Sequence, residues 1–262
     1  MCWQTTRKWG GISTFPVERC FFGLNIKDFK DKFPGEEWDK LDDFIRTKPP
    51  KAYLKREWFS KDTAPSMHDV FPVDYPAYFA HIPLQTEQEF NSRPLSVMSF
   101  FGRSHEGRVR VHSDIWAASS KYGYSVCDNF YHLQEFLQHE HGNRWASFHT
   151  PHFHRLDLNY ILTASGFSKI SLALFGAGIK TFRHSEITAN SVMLTWEDNM
   201  NWAYPWVHNE NCIKCKPGKE IETIQEALAN PNLYEIYKAG VANWNNYQFD
   251  NYTKYLEGII NG

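Results

Sequence analysis

From residue 95 onward, two hydrophobic periods alternate along the chain. Short apolar runs are separated by stretches whose apolar residues return every three or four positions. Residues 95–101 (Leu-Ser-Val-Met-Ser-Phe-Phe) form a run of strand length, which Gly102, Arg103 and Ser104 break. Residues 108–120 follow as a helix, with Val111, Ile115 and Ala118 spaced along one face. Residues 124–127 predict a second strand and 131–139 a second helix; after a His-rich loop, 155–164 predict a third helix. Residues 170–175 predict a strand closed by Gly176, 180–188 a helix, 191–194 a strand and 211–213 a further short one. From Glu220 to Ile260 the pattern is helical, broken near Asn230-Pro231. Such alternation predicts an α/β domain, a parallel sheet with helices on both faces. Ligands of such sheets bind outside the carboxyl ends of the strands.

Residues 1–90 have a different texture, rich in Pro, Lys, Asp and aromatics. Residues 36–45 predict a helix with Trp38, Leu41, Phe44 and Ile45 on one side, and 52–54 a short strand. Residues 69–76 are extended or turned, because Pro72 and Pro76 bias their predecessors away from helix. Residues 83–94 are polar and end in Arg93-Pro94, a linker pattern. The expected organisation is a reduced N-terminal region over 1–90, a Rossmann-like domain over 91–245 and a C-terminal helix over 246–262.

Composition narrows the function classes. The 262 residues are 42% hydrophobic and 22% charged, with a net charge of -2. That balance gives no general affinity for nucleic acid or for an anionic membrane. No run approaches about 18 consecutive apolar residues, and the N-terminus lacks the apolar core of a signal peptide. A soluble, cytoplasmic protein is expected. The five cysteines do not form a disulfide framework, and Cys212 and Cys215 make one isolated C-x-x-C without the second pair a structural zinc site needs.

The chemistry concentrates in the turn Gly176-Ala177-Gly178-Ile179-Lys180-Thr181-Phe182-Arg183. A buried strand ends in two glycines, which permit a sharp turn and close approach of a ligand to the main chain. The following helix directs free N–H groups toward whatever occupies the turn, favouring an anion. Lys180 and Arg183 add cations. Glu186 lies three residues past Arg183, on the same helical face, where its carboxylate can accept from ribose hydroxyls. Together these residues describe a nucleotide-diphosphate site. An ordinary turn with glycines and a surface ion pair fits the same residues. There is neither a full dinucleotide fingerprint nor a Walker motif.

The run 178–186, then Asn190-Ser191-Val192-Met193-Leu194, Glu210-Asn211-Cys212-Ile213 and residues 230–241, resembles the donor-binding half of GT-B glycosyltransferases, closest to the group-1-like and exostosin-like branches. The run 99–103 with Arg108 and Arg110 resembles the start of the same domain. The resemblance implies a GT-B-like fold with a Rossmann-like donor domain and a short acceptor-side domain. It implies a nucleotide-sugar co-substrate, UDP-sugar favoured, with no tightly bound cofactor and no metal. Position by position, it implies Lys180 and Arg183 on the diphosphate and Glu186 on the ribose. Gly178 and Phe182 belong to the same site, and Gly102, Arg103 and Arg108 lie opposite. Where some members carry a second glutamate eight residues after the first, this chain has Leu194.

The acceptor, a glycan hydroxyl, is expected on the N-terminal side. An inverting transferase needs a general base there, and Glu57, His68, Asp69 and Asp74 are the candidates, with Glu57, Asp69 and Asp74 preferred. His139, His141, His149, His152 and His154 have spacings that allow metal binding, but they also fit a loop lining the donor site or plain exposure. The segment 196–206 carries Trp196, Trp202, Tyr204 and Trp206, which either cover a sugar or pack on one another. Glu197 and Asp198 sit where they can meet sugar hydroxyls. Two other readings stay open: a carbohydrate-binding protein without catalysis, and another nucleotide-dependent enzyme such as an epimerase or dehydrogenase.

Overall fold

The computed structural model describes residues 20–22, 52–55, 69–72, 74, 77, 83–100, 106–122, 125–127, 144–148, 158–175 and 180–261. Two compact units form. One gathers the described parts of Met1–Tyr75 with Asn199–Ala203 and Asp250–Gly262; the other gathers Pro76–Asp198 with Tyr204–Phe249.

The smaller unit holds a parallel three-stranded sheet, β1 (Cys20–Phe22), β2 (Ala52–Lys55) and β3 (Asp69–Pro72), in that spatial order. Its last helix is anchored through tyrosine hydroxyls: Tyr255 donates to the Pro72 carbonyl at 2.8 Å, and Tyr252 Oη accepts the Asp74 N–H at 2.6 Å. Asp74 is buried, and its Oδ2 accepts the Ala203 N–H at 2.7 Å.

The larger unit is built on a six-stranded sheet. Its strands are β4 (Leu95–Phe100), β5 (Ser125–Cys127), β6 (Arg144–Phe148), β7 (Ser168–Leu172), β8 (Val192–Trp196) and β9 (Ile213–Cys215). The spatial order is β5-β6-β4-β7-β8-β9, and every pairing is parallel. The helices are α1 (Glu87–Asn91), α2 (Glu106–Tyr122), α3 (Leu158–Gly166), α4 (Phe182–Thr188), α5 (Glu220–Ala229), α6 (Leu233–Asn246) and α7 (Phe249–Asn261). From Asp250 on, α7 belongs to the smaller unit.

Alternating strand residues enter one core: Val97, Ile170, Leu172, Val192, Leu194 and Ile213 join Val111 and Ile115 of α2, Ile224 of α5 and Ile236 of α6. Each buried aliphatic side chain of this kind contributes about 1.5–3 kcal/mol. The opposite register of β7 and β8 meets α3 and α4. Beside α3, the Ser168 and Ser171 hydroxyls pair at 2.7 Å, and Asn190 Nδ2 donates to the Leu162 carbonyl at 3.1 Å. Cover on both faces explains why every residue of β8 is buried.

The predicted strands at 95–101, 124–127, 170–175, 191–194 and 52–54 all appear, shifted by a few residues at most. So does the break near Pro231, between α5 and α6. The predicted strand at 211–213 forms two residues later, as β9. Two segments differ from expectation. Residues 83–94 contain a short helix, α1, opened by Thr86, whose hydroxyl accepts the Glu89 N–H while Glu89 returns a carboxylate to the Thr86 N–H. The expected His-rich loop contains β6, whose Arg144-Trp145-Ala146-Ser147-Phe148 alternates too briefly among polar neighbours to register as a strand. The predicted helices at 36–45 and 131–139 lie outside the described residues.

Gly240 of α6 marks a close approach, since a Cβ there would sit 2.9 Å from the Asn211 carbonyl oxygen. Gly258 of α7 has nothing within 4 Å of the same position. Alanine in a helix gains about 1 kcal/mol over glycine, while overpacking costs about 1–3 kcal/mol. Gly240→Ala is therefore expected to lower the melting temperature and Gly258→Ala to raise it, both read by calorimetry.

Candidate functional site

The strand order reverses beside β4. From β4 the chain goes outward to β5 and returns as β6, then crosses β4 to β7 and continues outward through β8 and β9. The connections that follow β4 and β7 therefore lead to opposite sides of the sheet, and the carboxyl ends of two such strands are where open parallel sheets bind ligands. These are the loops that carry the residues singled out in the sequence. After β4 come Gly102 and Arg103, and after β7 the turn with Gly178; all three lie outside the described residues. The flanks of both loops are described.

On the β4 side, α2 brings Arg108 back over the end of β7. Its Nε donates to the Phe175 carbonyl at 2.7 Å and its Nη2 to the Leu174 carbonyl at 2.6 Å. Burial pushes this guanidinium down to about 10, and the charge of Arg183 pushes the same way. On the β7 side, Lys180 is buried at 2% exposure and immediately precedes α4. Within α4, Arg183 Nη1 lies 3.0 Å from Glu186 Oε2, with side-chain exposures of 20% and 12%. Phe182 opens the helix. The carboxyl end of β7 thus gathers Arg108 and Arg183, which repel each other, and a carboxylate that holds one of them. A bound anion would relieve that repulsion.

His184, next to Arg183 in α4, is 3% exposed. Its Nδ1 is 3.3 Å from the Thr181 backbone nitrogen and 3.1 Å from Thr181 Oγ1. Its Nε2 is 3.4 Å from Thr195 Oγ1, which donates its own proton to the Ala173 carbonyl at 2.9 Å. Both tautomers find a partner at Thr181: with a proton, Nδ1 donates to the Thr181 carbonyl at 3.1 Å; without one, it accepts from Oγ1 or the N–H. Burial drives the imidazole down to about 4, against the opposing influence of the Thr181 backbone and Asp198, while Lys214 and Lys180 act in the same direction as burial. The ring is therefore neutral at ordinary pH. No role was read for His184 from the sequence. Its signal was Thr181-Phe182-Arg183-His184, a hydroxyl followed three residues later by an acceptor at a helix start.

A second network closes the β8 end of the sheet. Glu220, 2% exposed at the start of α5, accepts Trp196 Nε1 at 2.6 Å, Arg110 Nη2 at 2.8 Å and the Gly218 N–H at 3.0 Å. Trp196 also meets Phe175 edge-on, with ring centroids 5.6 Å apart. Trp206 stacks on Tyr247 at 5.5 Å and is 4% exposed; Trp202 is also buried. These tryptophans are packing residues, and none offers an open face to a sugar. Asp198 has a side-chain exposure of 1% and pairs with Lys214 Nζ at 3.1 Å, whereas Glu197 is exposed.

Of the remaining sequence candidates, Asp69 contributes backbone to β3 and Asp74 is the buried anchor of the smaller unit. Glu57, His68 and the histidines between 139 and 154 lie outside the described residues. Burial pushes the Cys212 and Cys215 thiols up to about 12, so neither is a reactive thiolate. Among the described residues, no cluster of His, Cys, Asp and Glu is arranged to hold a metal ion, and no helix is long and apolar enough to cross a membrane.

The Glu220 network yields a stability prediction. Burial raises its carboxyl, but hydrogen bonds from Arg110, Gly218 and Trp196 outweigh it and the net shift is below the usual 4.5. A carboxylate with a depressed folded pKa stabilises fully above its unfolded value and loses that contribution as pH falls through the folded one. Glu220→Gln keeps an acceptor for Trp196 and Gly218 and loses the charge. It should cost about 1–2 kcal/mol at neutral pH, discounted because Arg110 is 38% exposed. The gap to wild type should close below pH 4.5, the usual value, in urea titrations.

No family model matches the sequence, and no curated protein is significantly similar to it. Among solved structures, the fold is similar to TarM, with a TM-score of 0.50 and 8% identity over 87% of this chain and 46% of that one. A GtfA/B complex gives 0.49 and 9% identity over 84% and 48%. Trehalose-6-phosphate from E. coli bound with UDP-2-fluoro glucose gives 0.49 and 10% over 91% and 65%. The chain spans about half the length of the first two, 46% and 48%. With its parallel sheet, its switch point at β4 and its likeness to TarM, the chain has the fold of the GT-B glycosyltransferases.

Proposed function

We propose that this chain is a glycosyltransferase that moves a sugar from a nucleotide-sugar donor, a UDP-sugar, to a hydroxyl of a glycan acceptor. One observation carries the reading: Arg108 and Arg183 converge on the carboxyl end of β7, beside the switch point, with Glu186 in contact with Arg183. In the donor complex the diphosphate takes the position between the cations. Arg183 and Lys180 neutralise the charge that grows on the leaving phosphate as the glycosidic bond breaks. Glu186, released from Arg183, accepts from the ribose hydroxyls. Gly178 allows the phosphate to approach the main chain, Phe182 lines the helix start, and Gly102 and Arg103 face the donor from the β4 side. Helix and side-chain cations do this work without a metal.

The donor domain corresponds to 91–245 and the acceptor side to 1–90, with 246–262 as the closing helix. An inverting reaction takes its general base from Glu57, Asp69 or Asp74. A soluble, cytoplasmic enzyme accords with the charge and apolar patterning.

Thermal-shift and calorimetric titration with UDP, GDP and ADP tests the reading. UDP is expected to stabilise the protein. Arg183→Ala should weaken UDP by about tenfold or more through loss of a charge-assisted contact. Glu186→Ala should weaken UDP more than it weakens inorganic pyrophosphate, which has no ribose. If no nucleoside diphosphate stabilises the protein, the reading is lost; UDP binding untouched by either substitution moves the site elsewhere.

A further inference from the structure

Residues at the carboxyl ends of β7 and β8 close a ring of contacts with the starts of α2 and α5. Arg108 Nε, in the first turn of α2, donates to the Phe175 carbonyl at 2.7 Å. The Phe175 ring meets Trp196 edge-on, with centroids 5.6 Å apart. Trp196 Nε1 donates to Glu220 Oε1 at 2.6 Å, and Arg110 Nη2 donates to the same oxygen at 2.8 Å. Arg110 lies in α2 with Arg108, which closes the ring. Gly218, at a φ of 95° that glycine tolerates, turns its N–H to the Glu220 carboxylate at 3.0 Å. We propose that Glu220 and Arg110 are positioning residues, which fix the start of α2 and thereby the place of Arg108 at the end of β7.

In the nucleotide-sugar reading, on which the consequence for binding rests, Arg108 is one of two cations beside the diphosphate. The Leu174 and Phe175 carbonyls set the plane of its guanidinium. They do not fix the helix behind it, because an arginine stem has many rotamers. Arg110 supplies that second restraint. Two residues of helix separate their backbones by only about 3 Å of rise, so holding one holds the other. The hold is firm because Glu220 is buried at 2% exposure and receives Arg110, Trp196 and the Gly218 N–H at once. Arg110 also pairs with Asp114, one turn further along α2, at 3.1 Å. Its charge is thus committed to two carboxylates, and the donor phosphates are left to Arg108, Lys180 and Arg183.

The test follows the Arg108 Nε–H by NMR in the unliganded protein, its signal identified by its loss in Arg108→Lys. Calorimetry then gives the affinities for UDP and inorganic pyrophosphate. The variants are Glu220→Gln, Arg110→Gln and, as a destabilised control outside the ring, Gly240→Ala. Arg110 is 38% exposed, so its replacement keeps a folded protein to measure should Glu220→Gln not fold. The Arg108 Nε–H should exchange about tenfold faster in both ring variants, as expected for one lost hydrogen bond, and at the wild-type rate in Gly240→Ala. UDP and pyrophosphate should each bind about threefold or more weakly in the ring variants, the scale of coupling between neighbours. In an Arg108→Lys background, Glu220→Gln or Arg110→Gln should cost no further affinity, because the effect passes through Arg108. A merely structural role would lower the melting temperature of all three variants and leave no such dependence. Wild-type exchange at Arg108 in the ring variants would overturn the proposal, as would equally fast exchange in Gly240→Ala. So would UDP binding that stays at wild-type strength in the ring variants, or a loss undiminished in the Arg108→Lys background. If exchange behaves as expected while wild type binds neither UDP nor pyrophosphate, Glu220 and Arg110 still position Arg108 and the nucleotide reading falls.

Discussion

Every pairing in the larger sheet is parallel, and the rest of this molecule follows from that constraint. Parallel strands need crossovers, so each strand's exit loop opens at the same end of the sheet. Helices on both faces bury β8 throughout, which leaves the ends of the sheet as the place where backbone and side chains can meet a ligand. The reversal of order beside β4 then selects one point along it. Arg108 and Arg183 come from two distant stretches of sequence, and this topology is what brings them to the carboxyl end of β7.

Charge is distributed with the same logic. Arg108 is buried and would be costly there if unpartnered, and carbonyls at the end of β7 take up its donors. Arg183 stays partly accessible and is paired with Glu186. Their mutual repulsion is tolerated because each cation has its own local acceptor. The arrangement places two cations at the carboxyl end of β7 without an isolated buried charge.

How much of this was legible follows from what each residue needed. The strands of 95–101, 170–175 and 191–194 were readable because burial on both faces makes their apolar runs nearly continuous. Arg183 and Glu186 were readable as neighbours because helical spacing dictates it. Strand β6 was not, because its identity comes from pairing between β4 and β5 rather than from its own five residues. The partnership of Arg108 with carbonyls 66 and 67 residues away was equally invisible, since no local period encodes it. The tryptophans of 196–206 were ambiguous for another reason: an aromatic stripe looks the same whether it stacks on a sugar or, as Trp206 does, on Tyr247.

Glu186 and Glu220 of the larger unit are held in different ways. Glu220 receives donors from Arg110, Trp196 and the backbone of Gly218, and is almost wholly buried. Moving it toward a ligand would strand an indole N–H and a main-chain N–H away from water, a penalty of about 1–3 kcal/mol for each group. Its role is therefore to join α2, β8 and α5. Glu186 pairs with Arg183 across one helical turn. Exchange of that single cation for a phosphate leaves both groups with new partners, arginine with the phosphate and carboxylate with hydroxyls. A pair that can be exchanged in this way costs little to open, and it is the difference in the number of fixed donors, more than any difference in residue type, that separates an exchangeable carboxylate from a structural one here.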